Sequence, residues 1–403
     1  MTAATDHAPA AVFRRHVFYL HGFDPRGPAV YHSFFRDGAQ SAGQRWDRSI
    51  SVGQRKRTGP HSSLWTIESQ DWRSDTSVIT AYEVLRWDDV VRRHWFARRE
   101  ARLAYEACAF ALRSWRRGIL KVSYRPAWAG FLAMVVPPVF LLSTFLVLLI
   151  LALCVGLATW YAAGAAGAAN WLQILLAIAS SCAAGLGLFR LWKFLEQRVN
   201  ILWLTRSLAY LRGSSDGRFD RCEDRAAAFA EKLRAVWERQ EVDEILLVGH
   251  SLGAMHLVRI GARLMRALPA DTAGPAIVMM TLGQSIPLYS MLGGDEAFAN
   301  DLALLATSDR LRLLDVTSGS DPGSSCRVPL VWTVDLHGQP SRVISREPDF
   351  HDVLEPETFR YIRVRPPEFH FQYLKPSERG HGFDYFELVT RPEFIRTSVG
   401  VSP

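Results

Sequence analysis

The chain is poor in cysteine and shows no ordered cysteine pattern. Its 403 residues include five, which are odd in number and widely separated: Cys108, Cys154, Cys182, Cys222 and Cys326. A disulfide framework or a zinc-finger site would need cysteines in pairs or at short, regular spacings. We therefore expect free, reduced thiols and no cysteine-based metal site.

Signals for secretion and for nucleic-acid binding are also missing. Residues 1–11 have no apolar core behind a basic start, so we expect a short flexible tail rather than a signal peptide, and cytoplasmic soluble parts. The sequence has no RNP-like aromatic pattern and no arginine-rich tail. We therefore expect no nucleic-acid partner, although the formal net charge is +7.

Apolar residues crowd between Phe131 and Trp192. Within this block, residues 139–161 and 171–189 carry no charge, and each stretch has about the 20 residues that span a bilayer core. Aromatic residues mark the ends of the two stretches, as they do at membrane interfaces: Trp128, Trp160, Tyr161, Trp171 and Trp192. The sequence therefore predicts a transmembrane helical hairpin over residues 126–198.

Basic residues flank this hairpin and are absent from its connector. Residues 113–125 include five arginines or lysines and residues 190–198 include three, whereas residues 162–170 have none. The excess of positive charge on cytoplasmic flanks predicts that both flanks lie in the cytoplasm. The alternative, a helical hairpin buried in a soluble core, would also have to bury the Gly- and Ala-rich connector.

The segment that precedes the hairpin, residues 88–121, is rich in Arg, Trp, Phe, Leu and Ala. This composition predicts a long basic amphipathic helix. Such a helix could lie along the inner leaflet of the membrane. It could equally be a solvated helix with one stripe facing a core.

Strand-like and helix-like segments alternate on both sides of the hairpin. The predicted strands are residues 16–20, 78–87, 244–248, 276–282, 311–316 and 359–364. The predicted helices are residues 221–239, 252–268 and 295–306. This alternation is typical of an α/β fold with a mostly parallel sheet and helices on both faces. Residues 322–356 have few regular signals and predict an irregular insertion.

Ser251 lies in the segment Gly249-His250-Ser251-Leu252-Gly253, between a predicted strand and a predicted helix. A serine hydroxyl is a weak nucleophile, so it must be held exposed beside a base and near donors for the oxyanion that forms. The two glycines allow a sharp strand-to-helix turn. The five-residue pattern occurs by chance in many chains, where it marks only a turn flanked by glycines. Here the predicted strand before it and the predicted helix after it favour a nucleophilic serine.

With this motif the chain resembles the α/β-hydrolase family, in particular its lipase and esterase branch, which often has Gly-His-Ser-Leu-Gly at this turn. The resemblance covers most of the chain outside the hairpin. It implies a hydrolase domain formed by residues 12–125 and 199–403, interrupted by the hairpin 126–198. It also implies that the amides of Leu252 and of Phe23, which follows His21-Gly22, donate to the oxyanion.

In this family the acid and then the histidine follow the serine along the chain. Asp321 is our choice for the acid, because it lies in a loop just beyond a predicted strand, whereas the competing Asp315 lies within that strand. His370 is our choice for the base, and His381 is its main rival. Two other histidines also satisfy the order, His337 and His351. A Ser-His-Asp triad needs no metal and no organic cofactor.

The position of such a site beside a bilayer favours an acyl ester of a lipid or another amphiphile as the substrate. Amidases, thioesterases and acyltransferases use the same triad on the same fold. An alternative of another class is a membrane-tethered interaction protein that has kept the fold and lost the activity.

The orientation predicted by the basic flanks can be tested with a topology reporter. A reporter inserted within residues 162–170 should be found outside the cytoplasm, because this connector lacks the positive charges that retain the flanks. The same reporter fused after the last residue should be cytoplasmic and serves as the control. A cytoplasmic connector would overturn the hairpin orientation.

Overall fold

A computed structural model describes residues 12–72, 76–95, 99–219, 222–270, 272–293 and 295–395. The predicted tail, residues 1–11, lies outside the described residues.

Nine strands form one sheet in this part of the chain. They are β1 (Val12–Leu20), β2 (Arg48–Val52), β3 (Lys56–Gly59), β4 (Ser62–Asp71), β5 (Ser77–Leu85), β6 (Glu244–His250), β7 (Ala276–Leu282), β8 (Leu311–Val316) and β9 (Ile344–Arg346). The order across the sheet is β2-β4-β5-β1-β6-β7-β8-β9, and β3 pairs with β4. Strands β5, β1, β6, β7, β8 and β9 are parallel neighbours, whereas β4 runs antiparallel to β2, β3 and β5.

The sheet is therefore mixed, and the expectation of a mostly parallel sheet is wrong. The short connections between β2, β3 and β4 explain the antiparallel end, because a parallel neighbour needs a crossover of a dozen or more residues. These strands are not among those predicted from the sequence. In β4, Trp65, Ile67 and Ser69 are buried at alternate positions, and the serine weakens the apolar alternation that would have predicted the strand.

Fifteen α-helices accompany the sheet within the described residues. They are α1 (Pro28–Arg45), α2 (Asp88–His94), α3 (Glu100–Arg116), α4 (Ile119–Ser123), α5 (Trp128–Ala165), α6 (Asn170–Val199), α7 (Ile201–Ser215), α8 (Glu223–Arg239), α9 (Gly253–Ala267), α10 (Ile286–Met291), α11 (Glu296–Thr307), α12 (Phe350–Val353), α13 (Pro356–Ile362), α14 (Pro366–His370) and α15 (Tyr385–Thr390). A single 3-10 turn, Phe371–Leu374, follows α14.

Both faces of the central strands are buried, so the protein has an α/β fold with a core on each side of the sheet. Phe18 of β1 belongs to a core with α3, α7, α8, α9 and α11, whereas its neighbour Tyr19 belongs to a core with α1 and α15. Side chains alternate between the two faces of a strand, which explains this division. Parallel strands that are covered on both faces have mostly apolar sequences. For this reason β6, β7 and β8 could be predicted.

Two predicted elements are wrong. Residues 359–364 do not form the last strand, because most of them lie in α13, where Pro356 takes the first helical position that proline favours. The last strand is instead β9, within the stretch predicted to be irregular. The predicted helix over residues 88–121 is divided into α2, α3 and α4, with Gly118 in the left-handed conformation between the last two.

Helices α5 and α6 form the hairpin, and by length and composition both could cross a membrane. Most of their apolar side chains are exposed rather than buried in a core. The two helices approach closely at Gly156, where a Cβ atom would overlap the Ser181 hydroxyl. Near its start α5 is different, because Ala133, Met134 and Leu141 join the main core.

A buried ion pair ties the two central strands to the end of the described chain. The Arg15 Nε atom of β1 donates to Glu244 Oε2 of β6 at 2.7 Å, and both side chains are fully buried. The guanidinium also donates to the carbonyl oxygens of Arg391 and Glu393, at 3.1 and 2.9 Å. Glu244 Oε1 accepts from the Ile395 amide at 2.9 Å, which completes the network.

Removing one member of this pair should lower the free energy of unfolding more than replacing both members. We expect Glu244→Ala to lower the free energy of unfolding by about 3–5 kcal/mol, because it leaves the buried Arg15 charge unpaired. The double variant Arg15→Met/Glu244→Leu should lose clearly less. Denaturant unfolding of the detergent-solubilised protein measures both. A double variant less stable than Glu244→Ala would contradict the role of the pair.

Candidate active site

Ser251 lies at the sharp turn between β6 and α9. Its φ angle is +54°, in the left-handed region that residues with side chains seldom adopt. The Ser251 amide donates to the Leu282 carbonyl of β7 at 2.8 Å, which helps to hold this conformation. Strained backbone of this kind persists only where its surroundings fix it, and it is common at functional sites.

Three glycines let other backbone segments approach this turn. A Cβ atom on Gly253 would overlap the Leu20 and His21 carbonyl oxygens at the end of β1, and one on Gly249 would lie 2.6 Å from the Ala254 Cα atom. A Cβ atom on Gly22 would lie 2.8 Å from the Ser251 Cβ atom. The loop after β1 therefore lies directly against the serine turn, as the predicted oxyanion role of this loop requires.

Within the described ranges, the backbone amides of Phe23 and Leu252 donate no hydrogen bond to a backbone carbonyl. Leu252 follows the serine, and Phe23 follows the glycine that contacts it. The Phe23 ring stacks on Tyr210 with ring centroids 4.8 Å apart, and the Trp87 indole donates to the His21 carbonyl at 2.7 Å. These contacts hold the loop, so both amides are available to a ligand oxygen.

Asp321 and His370 form a buried pair. The His370 Nδ1 atom lies 2.8 Å from Asp321 Oδ2 and 3.0 Å from Oδ1, and both side chains are fully buried. The Gly323 amide donates to Asp321 Oδ1 at 2.8 Å. An acidic partner at Nδ1 favours the tautomer with its proton there, which leaves the lone pair on Nε2. Within the described structure Nε2 has no hydrogen-bond partner.

Ser251 lines a pocket next to the Asp321–His370 pair. Ser251 and Leu252 line it together with Gly323 and Trp203, and the last two residues also contact the His370 ring. Since Nε2 is unpartnered among the described residues, no hydrogen bond joins it to the Ser251 hydroxyl. Such bonds are often long without a substrate and shorten when it binds.

Tyr373 is a further member of the site, and it is not among the residues predicted from the sequence. Its hydroxyl oxygen accepts from the Ser318 amide at 2.8 Å. Burial and then the negative charge of Asp321 raise the pKa of Tyr373 well above its usual value, so the hydroxyl stays protonated beside the carboxylate. The only signal in the sequence is its position, three residues after the predicted base.

Asp315, the competing acid, lies in β8, and its carboxylate accepts hydrogen bonds from residues other than the candidate histidines. It accepts from the Thr281 hydroxyl at 2.6 Å and from the Gln284 side-chain amide at 3.3 Å. Burial raises the pKa of Asp315 to about 6, and these two hydrogen bonds oppose the rise. Gln284 in turn accepts from the Ile286 amide at 2.6 Å. Asp315 therefore joins β7, β8 and the start of α10.

The rival bases are not brought to Asp321. His381 is exposed, and its Nδ1 atom lies 3.1 Å from the Arg379 carbonyl oxygen. His337 and His351 are also exposed, beside Asp335 and Asp352.

Two neutral histidines support the site. The His250 Nε2 atom lies 3.0 Å from the His370 carbonyl oxygen, and burial and then His370 lower the pKa of His250 well below its usual value. His21 Nδ1 lies 2.8 Å from the Gly22 carbonyl oxygen, and burial lowers the pKa of His21. Both imidazoles thus act as neutral hydrogen-bonding groups.

No group of three or more His, Cys, Asp or Glu side chains that could hold a metal ion is found among the described residues. Comparisons of the chain with protein families, with curated proteins and with solved structures found no match. The arguments for a function therefore come from the residues and the geometry of this site.

Placing a methyl group on Gly323 should separate Asp321 from His370. A Cβ atom there would lie 2.6 Å from His370 Nδ1, so Gly323→Ala must displace the imidazole. Displacements of this kind reduce catalysis by about a hundredfold, and we expect labelling of Ser251 by a fluorophosphonate to slow to a similar degree. Gly27→Ala, where the added atom meets nothing within 4 Å, is the matched control. Equal labelling of the two variants would contradict the assigned pair.

Proposed function

We propose that this protein is a membrane-anchored serine hydrolase of the α/β-hydrolase type that cleaves acyl esters. The buried Asp321–His370 pair carries the proposal, because it lies beside the pocket that Ser251 borders and leaves His370 Nε2 without a hydrogen-bond partner among the described residues. Nucleophile, acid and base follow one another along the chain in the order typical of that fold.

The geometry supports an acyl-enzyme mechanism. His370 Nε2 takes the proton from the Ser251 hydroxyl as the oxygen attacks the ester carbonyl carbon. The carbonyl electron pair moves onto its oxygen, and the amides of Phe23 and Leu252 stabilise the negative charge. The electron pair then returns, the bond to the leaving alcohol breaks, and His370 gives its proton to the alcohol oxygen. Ser251 now carries the acyl group.

Water completes the cycle by the same steps. His370 takes a proton from the water molecule, whose oxygen attacks the acyl carbon, and then returns the proton to Ser251 as the acid leaves. Asp321 holds the ring with Nδ1 protonated and stabilises the positive imidazolium. The Gly323 amide holds Asp321 in turn.

The hairpin supports the membrane part of the proposal. Helices α5 and α6 expose apolar side chains over most of their length, which water would disfavour and a bilayer would not. Their ends carry the basic flanks that predict a cytoplasmic catalytic domain. The buried start of α5 borders the same pocket as Ser251, so a substrate that partitions into the membrane, a lipid or another amphiphile, is favoured.

Covalent labelling tests the nucleophile and the base directly. The detergent-solubilised protein should react with a fluorophosphonate probe, and Ser251→Ala should abolish the reaction because the attacking oxygen is gone. His370→Ala should slow labelling by at least about a hundredfold, since the general base is removed. Gel fluorescence and intact mass measure both effects.

Two matched variants serve as controls. Ser290→Ala removes a serine hydroxyl that has no hydrogen-bond partner in the described structure, and His381→Ala removes the exposed rival histidine. Both should be labelled like the unmodified protein. A folded protein that resists the probe would refute the hydrolase proposal, and loss of labelling in His381→Ala alone would reassign the base.

A further inference from the structure

One wall of the pocket beside Ser251 belongs to the first turns of the hairpin helix α5. Gly130, Ala133 and Met134 line it, and their spacing of three and four residues places them on one helix face. A Cβ atom on Gly130 would lie 2.9 Å from the Ser324 carbonyl oxygen, in the loop that carries Asp321. The helix therefore contacts both the pocket and the catalytic loop.

The other walls come from α7 and α10. Trp203 and Leu208 of α7 and Leu288 of α10 line the pocket, and the Trp203 ring lies 5.4 Å from the His370 ring. All three side chains are buried. The part of a substrate that enters between these helices therefore meets mainly apolar surface, as the hydrocarbon part of an acyl group would require.

The pocket is small. The cavity has a volume of about 40 Å³, whereas a single buried water needs about 10–15 Å³. This small enclosed volume favours a short acyl group, such as acetyl or butyryl, over an octanoyl or longer chain.

Met134 is the largest residue on the wall of the pocket that helix α5 forms. It is 3% exposed, and its long side chain contrasts with Gly130 and Ala133 on the same wall. Beyond it, the same face of α5 continues through buried Pro137 and Leu141 along the hairpin. Space gained at Met134 would therefore extend the pocket along the helix that leaves the protein body.

We propose that Met134 determines the acyl length that this hydrolase accepts and restricts it to esters of short acyl groups. The hairpin then supplies part of the substrate site in addition to an anchor. This inference rests on the proposed function, because it assigns the pocket to the acyl group attacked by Ser251.

A series of p-nitrophenyl esters tests the inference on the full-length, detergent-solubilised protein. We expect kcat/KM for the acetyl and butyryl esters to exceed that for the octanoyl ester by at least about tenfold, since misfit in an apolar pocket costs at least this much. Met134→Ala should reduce this ratio by at least about tenfold by raising the rate with the octanoyl ester.

Two variants separate pocket size from general effects on α5. Met134→Leu keeps the side-chain volume and should keep the short-chain preference. Leu142→Ala removes a side chain that is 55% exposed on the same helix and outside the pocket, and it should leave the ester profile unchanged. If Met134→Ala does not fold, Leu208→Ala enlarges the pocket from α7 and should shift the preference in the same direction.

Fluorophosphonate labelling of each variant distinguishes the two ways to fail. If the protein is labelled and cleaves octanoyl and acetyl esters equally well, or if enlarging the pocket leaves the preference unchanged, the role of Met134 is refuted and the hydrolase proposal stands. If the folded protein is neither labelled nor active on any ester, the proposed function is refuted, and the inference about Met134 is refuted with it.

Discussion

The close approach of two backbones, at the end of β1 and at the start of α9, is the constraint on which the rest of the site depends. Gly253 permits it, because a side chain there would overlap the Leu20 and His21 carbonyl oxygens. This approach brings Gly22 against Ser251 and leaves the amides of Phe23 and Leu252 outside regular structure. The Asp321–His370 pair then reaches the same place from β8 and α14, because neighbouring parallel strands end at one edge of the sheet.

The elements that could be predicted are those with a recognisable local sequence pattern. Strands β6 and β7 contain continuous apolar runs because both of their faces are buried, and the structure gives β7 and β8 the predicted bounds. Helix α11 has Asp295 as its N-cap, whose side chain accepts from the Phe298 amide, and this capping signal lies in the sequence itself. Such elements need no knowledge of the tertiary structure.

The remaining elements depend on contacts that the sequence does not show locally. The antiparallel end of the sheet is built from polar strands whose pairing depends on short turns. The segment from residue 359 to residue 364 looks strand-like, yet Pro356 begins a helix before it. At the site, chain order and loop position were enough to propose Asp321 and His370, but not to find Tyr373, because its link to Asp321 exists only once the chain is folded.

The place of the hairpin in the chain has a consequence for biogenesis. Strand β5 precedes α5 and α6, β6 follows them, and β1 lies between β5 and β6 in the sheet. The ribosome therefore delivers the loop after β1 before the hairpin and Ser251 after it, so the centre of the sheet closes across an already synthesised helical hairpin. If the hairpin inserts into a membrane during translation, the turn that carries Ser251 then forms beside that membrane. The proposed hydrolase would then become complete only there, and no active form of it would be free in the cytosol while the protein is being made.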